Sequence, residues 1–570
     1  LAAVLVLLAL LLIVVAMRRQ PPAPQAGDGD VANHAFPGTR ARDTLRELLG
    51  DGSPHPLGSP AHDAVRDRVI ARLRAYGYEP VVEKGNSCGP RSRTCGDIQN
   101  IVARLPGTQS TGTVLLMAHY DSVPTGPGAA DDMTGTAVVL ETARLLKSGP
   151  APRNNLLFML TDGEEAGLLG AAWFVENSPF AADVKAVVNL EARGTSGPSL
   201  LFETVGDNWT IPLYGERASH PTTSSVFATI YSLMPNDTDL SVFKKKPSPF
   251  VGVNFAFIQD PLRYHSQSDS FENVSPGSIQ HHGDNALAMM SGLAGLDLNA
   301  QPKGRRAFFD VLGAFVVSWP LSWSLGLALL ALVLVLAATV LAVRRRAATG
   351  GGVALGFGAF LITLIFSGLA AFLLGMLVRG RFWVPSPLPL VAAFWLLPLA
   401  VAGFVAGWLR SARATGLWAG AWIGWCLFGL LLVVALPTPG ISYLFVVPAL
   451  VAAVTALALF GSRGVDGAGG TLAVLLTAAV SAVLWLPIVL PLYDGLGRGG
   501  LLPIAVLLSI FFAAVAPLFV TAPAGVRRFL PAAVFALAVI LLIVQMFTAP
   551  PAPNRRAEAA PSSPDRSAHG

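Results

Sequence analysis

The sequence predicts an α/β domain with a mostly parallel central sheet flanked by helices, followed by an all-α multi-span transmembrane domain. Three observations carry this reading. Apolar runs of strand length alternate with helical patterns between residues 97 and 204, the pattern of a parallel sheet covered on both faces. From about residue 320 to 548 the chain is a succession of long uncharged runs. Composition is 53% hydrophobic and 13% charged, with mean hydropathy +0.56, which is too apolar for one ordinary soluble fold. The 570 residues have room for two or three domains, each with its own core.

Leu1 to Met17 is almost purely aliphatic and is followed by Arg18 and Arg19. It reads as an N-terminal signal-anchor helix, with a cleaved signal peptide as the alternative. Residues 18–40 include the Pro/Ala/Gly-rich stretch from Gln20 to Asn33 and read as a linker. The α/β domain is expected over 41–300. Ala41 to Leu49 and Ala61 to Tyr76 have helical periodicity, and Asp97 to Leu105 and Gly112 to Ala118 read as strands. Thr134 to Leu146 is a helix, Asn155 to Thr161 a buried strand and Gly167 to Asn177 a helix. Val184 to Leu190 and Ser199 to Thr204 are again strands.

Residues 301–548 are assigned to the transmembrane domain, with eight spans at roughly 322–343, 353–378, 386–409, 415–436, 441–461, 470–491, 500–521 and 529–548. A disordered Pro-rich tail is expected over 549–570. The net charge of +5 sits mostly as Arg in short loops, which is how membrane topology is set, so a lipid bilayer is the expected partner and nucleic acid is not. The denser loops, Arg344 to Arg346, Arg410 with Arg413, Arg463, and Arg527 with Arg528, are assigned to the cytoplasmic side. Arg379, Arg381 and Arg498 then lie on the other side, with the α/β domain outside the cytoplasm. The spans hold almost no ionisable group, which argues against ion-coupled transport.

Of three cysteines, Cys426 lies in an apolar run and reads as a small buried hydrophobe. Cys88 and Cys95 flank a short polar loop. In an oxidising compartment they form a local disulfide, and otherwise they are two free thiols.

Chemistry-bearing residues collect at the ends of predicted strands, where functional groups of an α/β sheet belong. In AHYDSVPTGPGAADD, His119 ends a strand, Asp121 follows, and Asp131 and Asp132 open a helix. TDGEEAG carries Glu164 and Glu165, VVNLEARG carries Glu191, and YHSQSD carries His265. Two imidazoles and three carboxylates suit a pair of Zn²⁺ ions. A further carboxylate that is not a ligand can then take the proton of a metal-activated water. Asp162 reads as structural, His281 and His282 as solvent-facing, and Asp237 and Asp239 as braces for the helix near the site. His34, His55, His62 and His220 read as ordinary polar residues.

From about Ser53 to Leu296 these segments resemble, in order, a di-zinc peptidase family. That family includes aminopeptidase Y, bacterial leucyl aminopeptidases and glutamate carboxypeptidase II. PNDTDLSVF, YHSQSDS and the multi-span region that follows look like the membrane-bound branch of endoplasmic-reticulum metallopeptidases and fungal vacuolar membrane proteases. The resemblance implies a zinc-peptidase fold holding two Zn²⁺ ions. It makes His119 and Glu191 ligands of one metal, Glu165 and His265 ligands of the other, and Asp131 the bridge. It makes Glu164 the general base and Asp121 the residue that orients His119, and it implies a cis peptide between Asp131 and Asp132. Peptide is then the substrate, and an aminopeptidase the expected activity. A zinc carboxypeptidase, a glutaminyl cyclase-like enzyme and a non-catalytic receptor on the same fold are the alternatives. Glutaminyl cyclases use one zinc and differ at the residue after their Asp ligand, so an intact Asp131-Asp132 favours two metals.

Asn208, Asn236 and Asn273 begin sequons, and 33 of the 40 basic residues are Arg. A bacterial cell membrane is the expected location, with an organelle lumen as the alternative.

Overall fold

The computed structural model describes residues 2–18, 20–89, 94–246, 248–377, 384, 387–409, 413–435 and 439–548. The expected tail and Arg19, Arg379, Arg381 and Arg410 lie outside the described residues.

The α/β domain is built on a seven-stranded sheet of order β1-β2-β4-β3-β5-β7-β6. The strands are β1 (Val81–Cys88), β2 (Cys95–Leu105), β3 (Thr113–His119), β4 (Asn155–Thr161), β5 (Val184–Ala192), β6 (Leu200–Val205) and β7 (Val251–Phe257). The four central strands β4, β3, β5 and β7 pair in parallel. β1, β2 and β6 join antiparallel, so the sheet is mixed, with a parallel centre. Cys88 and Cys95 face each other across the β1–β2 ladder and are joined as a disulfide.

Helices cover both faces because strand side chains alternate between them. Val114, Leu116 and Ala118 enter a core shared with α2 (Gly38–Leu49), α3 (Pro60–Ala75), α4 (Met133–Ser148) and α9 (Pro276–Gly295). Leu115 and Met117, pointing the other way, pack with Phe174 of α5 (Leu169–Asn177) and with Leu240 and Phe243 of α8 (Asp239–Phe243). The predicted linker is partly folded in: Phe36 is fully buried in the first core. His281 and His282 of α9 are also buried rather than solvent-facing. His281 Nδ1 accepts from Ser199 N (3.1 Å), and the Ser199 hydroxyl lies 2.8 Å from His282 Nδ1.

Residues 306–320, assigned by sequence to the transmembrane region, instead form a hairpin of β8 (Arg306–Val311) and β9 (Phe315–Pro320). It sits beneath α6 (Thr210–Arg217) and α7 (Ser225–Ser232) and joins the α/β domain to the apolar helices. Phe309 stacks on Tyr443, with ring centroids 4.3 Å apart. Ser224 Oγ lies 2.8 Å from the Tyr443 hydroxyl. Ser225 Oγ is 2.7 Å from Gly440 O and 3.0 Å from Phe308 O, and accepts from Phe308 N (3.2 Å).

The apolar block runs α10 (Trp323–Arg344), α11 (Gly350–Leu377), α12 (Leu388–Trp408), α13 (Ala414–Ala435), α14 (Tyr443–Leu459), α15 (Ala468–Val489), α16 (Leu492–Leu496), α17 (Leu501–Val515), α18 (Pro517–Val520) and α19 (Ala524–Thr548). Among the described residues seven segments are long and apolar enough to cross a membrane by length and composition, and one of them, Ala468–Val515, contains both α15 and α17. The N-terminal α1 (Ala2–Arg18) is also apolar and packs on α15. Small residues let the helices approach closely. A Cβ on Gly420 would stand 2.1 Å from Val353 O, and one on Gly356 2.4 Å from Leu417 O, so α11 and α13 touch through backbone. At the end of the block away from the α/β domain, Arg345 bonds Phe460 O and Arg413 bonds Arg346 O.

Candidate metal centre

Each central strand delivers one part of the site from its carboxyl end. His119 is the last residue of β3, and Glu191 lies near the end of β5. The turn after β4 carries Glu164 and Glu165, and the loop after β7 carries His265. Asp131 immediately precedes Asp132, which caps α4 by accepting from Gly135 N at 3.0 Å. The peptide between Asp131 and Asp132 is cis.

Asp131 stands between two imidazoles. Its Oδ1 is 3.3 Å from His119 Nε2, and its Oδ2 is 3.2 Å from His265 Nε2. His265 Nε2 is also 2.9 Å from Glu165 Oε1. Three overlapping groups result, His119–Asp131–Glu191, Asp131–Glu165–His265 and His119–Glu164–Glu165, each with its donor atoms within 4.8 Å of one another. The structure thus brings together all five residues proposed from sequence as ligands, and the proposed base beside them.

Neighbouring groups hold this arrangement. His119 Nδ1 is 3.0 Å from the backbone oxygen of Asp121 and 3.5 Å from its carboxylate. The same carboxylate accepts from the amides of Glu164 (3.0 Å) and Glu165 (3.2 Å). One buried Asp therefore touches both the His119 ring and the Glu-Glu turn. Glu191 accepts from Asn189 Nδ2 at 3.1 Å. His265 has φ of 56°, an uncommon conformation outside glycine, and its ring is stacked on Tyr264 at 3.7 Å.

Sequence reasoning missed Asp269. Its carboxylate accepts from the amides of Ala130 (2.7 Å) and Asp131 (3.2 Å), so it fixes the backbone that presents Asp131. Its only signal was membership of YHSQSD. Asp239 is buried and accepts from the Thr161 hydroxyl at the end of β4, a bracing contact as expected. His62, read as an ordinary polar residue, is buried 2.8 Å from Asp162 Oδ1 and stacked on Tyr120.

Electrostatics tests whether these residues fit a metal. Burial pushes the Glu165 carboxyl up to about 7, with repulsion from Asp131 adding to it. Glu164 and Glu191 are driven well above their usual range, first by burial and then by neighbouring carboxylates, while His119 opposes the shift. Burial disfavours the His265 imidazolium, but hydrogen bonds to Asp131 and Glu165 outweigh it and raise that group to about 10. Burial likewise works against ionised Asp131, and the two imidazoles more than reverse this. Packed carboxylates that repel one another, with imidazole nitrogens at both ends of one of them, call for added positive charge at their centre. Nitrogen and oxygen donors of this kind suit zinc. The residues fit the group.

The α/β domain is thus a mixed sheet with a His/Asp/Glu cluster at its carboxyl edge, a candidate metal site. Residues 100–290 match the profile of Peptidase family M28. The chain is 34% identical over 233 residues to "Endoplasmic reticulum metallopeptidase 1" of Mus musculus, covering 39% of this chain and 26% of that protein. It is 30% identical over 309 residues to the Homo sapiens protein of the same name, with 50% and 34% covered. It is 28% identical over 280 residues to "Vacuolar membrane protease" of Candida dubliniensis, with 47% and 30% covered. The chain thus spans only 26% to 34% of the length of these relatives. Among solved structures, an aminopeptidase from Aneurinibacillus sp. strain AM-1 is similar at 13% identity and TM-score 0.38, covering 48% of this chain and 98% of that one.

Proposed function

We propose that this chain is a membrane-anchored, zinc-dependent exopeptidase, an aminopeptidase that removes N-terminal residues from peptides. The observation that carries the proposal is Asp131 facing one imidazole with each carboxylate oxygen, so that two three-residue groups share it. In this reading His119, Asp131 and Glu191 hold one zinc, and Asp131, Glu165 and His265 hold the second. Two zinc ions at such a site supply Lewis acidity that activates a water and polarises a scissile carbonyl.

The chain's own residues do the rest. Glu164 accepts the water's proton at its carboxylate and returns it to the leaving amine. Asp121 keeps Glu164 and Glu165 apart in role by holding both amides of their turn. Asp269 fixes the Asp131 backbone, and Tyr264 supports the His265 ring. We place the catalytic domain outside the cytoplasm, in a bacterial membrane. The arginine-rich loops at the far end of the helix block support that side by the positive-inside rule, and the Cys88–Cys95 disulfide agrees with it.

The test is hydrolysis of free-amine and N-blocked peptides by the detergent-solubilised protein, with and without a chelator. Aminopeptidase activity requires cleavage of free-amine peptides alone and its loss on chelation. Cleavage from the carboxyl end, cyclisation of N-terminal Gln, or no turnover by zinc-loaded protein overturns the assignment.

A further inference from the structure

The metal centre opens into a cavity of about 150 Å³ whose far wall is not part of the α/β domain. Asp131, Glu164 and Glu191 line its polar end. Leu492, Gly495 and Leu496 of α16 also line it, with Phe227 and Ile230 of α7 and Ile258 just after β7, and its lining includes the charged Arg193 and Asp237. α16 is the short turn of helix between α15 and α17, two helices of the apolar block. Leu492 is anchored in the core of that block, and Leu496 and Ile230 pack against the same core. The Ser224 and Ser225 contacts to Tyr443 and Gly440 fix α7 to the same block.

We propose that α16 and α7 form the pocket for the side chain of the substrate's N-terminal residue, so that the helix block selects peptides beginning with a large apolar or aromatic residue. This rests on the aminopeptidase reading above. An apolar cavity of roughly 150 Å³ holds one benzene ring, which matches a Phe or Leu side chain and exceeds what Ala fills. Its carboxylate end receives the scissile bond and the wall made by α16 and α7 receives the side chain. The selecting surface is therefore composite, made by two parts of the chain more than 200 residues apart in sequence, as the separations of 219 and 215 at the Ser224–Tyr443 and Ser225–Gly440 contacts illustrate.

Gly495 gives a direct test. A Cβ there meets only Ile258, at 3.7 Å, and its φ is not in the left-handed region, so a larger side chain is tolerated and grows into the cavity. With full-length zinc-loaded protein, Gly495→Leu should lower the Phe-to-Ala ratio of kcat/KM ten-fold or more, the range set by methylene-sized changes in apolar pockets. Leu496→Ala, which widens the same wall, should shift preference toward Trp. Binding provides a readout independent of turnover. In a Glu164→Gln background, calorimetry should show the Phe-headed peptide losing affinity relative to the Ala-headed one when Gly495 becomes Leu. An active wild type whose Phe-to-Ala ratio and peptide affinities are unmoved by both variants overturns the pocket and leaves the aminopeptidase reading standing. A wild type that cleaves no free-amine peptide overturns both.

Discussion

Glu164, the proposed general base, lies beside the five proposed ligands and itself belongs to one of the candidate metal groups. Its amide is tied to Asp121, and its carboxyl is held high by burial and by the neighbouring Glu191 and Glu165. Glu164→Gln keeps the shape and the donor set of the five proposed ligands. It should lower kcat by a factor of about 10² to 10⁴ while zinc content, measured by elemental analysis, is retained. Loss of zinc together with activity would instead make Glu164 a ligand. In α9, burial holds His281 down to about 4 and His282 to about 3, against an ordinary value of 6.5. Both are neutral in the fold and can protonate when the chain unfolds, so their contribution is complete above about pH 6.5 and is lost as pH falls. For His282 the loss by pH 5 is on the order of 2 kcal/mol. Asp284, raised to about 7 by burial, works in the opposite direction. The useful measurement is therefore a difference: the melting temperature of wild type minus that of His282→Gln should fall between pH 7 and pH 5. A constant difference would mean that His282 does not titrate in this way.

The residue-level chemistry was legible where it depends on short spacings. His119 with Asp121, Glu164 with Glu165, and His265 in YHSQSD each stand at the end of an apolar run, and a strand end can be recognised without knowing its neighbours. Asp269 was visible as a residue but not as a support, because the amide it holds is 139 positions away. His281 and His282 were misread because helical periodicity does not reveal that a distant loop, here Ser199, covers that face.

At the scale of elements, the α/β domain and the helix block meet at a small set of polar contacts centred on α7 and the β8–β9 hairpin. Ser225 is the densest of these, serving Phe308 N, Phe308 O and Gly440 O through one hydroxyl. Ser225→Ala leaves these backbone groups without that partner in a buried seam, a loss of about 1–3 kcal/mol. A lowered unfolding midpoint in detergent should report it, and an unchanged midpoint would show that the seam is not held there. The hairpin itself escaped sequence reading because FFDVLGAFVVSWP is as apolar as the spans that follow. Its length and the Gly313 turn distinguish it only after β8 and β9 are seen to pair. The parallel centre of the sheet was predictable from alternating patterns. The antiparallel edges β1 and β6 were not, because pairing direction depends on the route of the connections rather than on the strands' own residues.

For the whole molecule, repulsion among Asp131, Glu164, Glu165 and Glu191 opposes folding unless cations compensate it. Zinc should therefore raise thermal stability as well as enable turnover. At a free concentration 100 times its dissociation constant a bound ion adds about 2.7 kcal/mol. Melting curves should show a zinc-dependent upward shift in wild type that is lost in His119→Ala. An equal shift in both proteins would place the zinc elsewhere.

The α/β architecture, the apolar helix block and the residues that gather at the strand ends can be read along the chain. These depend on periodicity and local spacing, which are written along the chain. Only in three dimensions does Asp131 lie between the two imidazoles, Asp121 hold the Glu164–Glu165 turn, Asp269 hold the backbone of Asp131, and α16 line the cavity beside them. Those relations depend on which distant surfaces exclude water together. No local pattern encodes that.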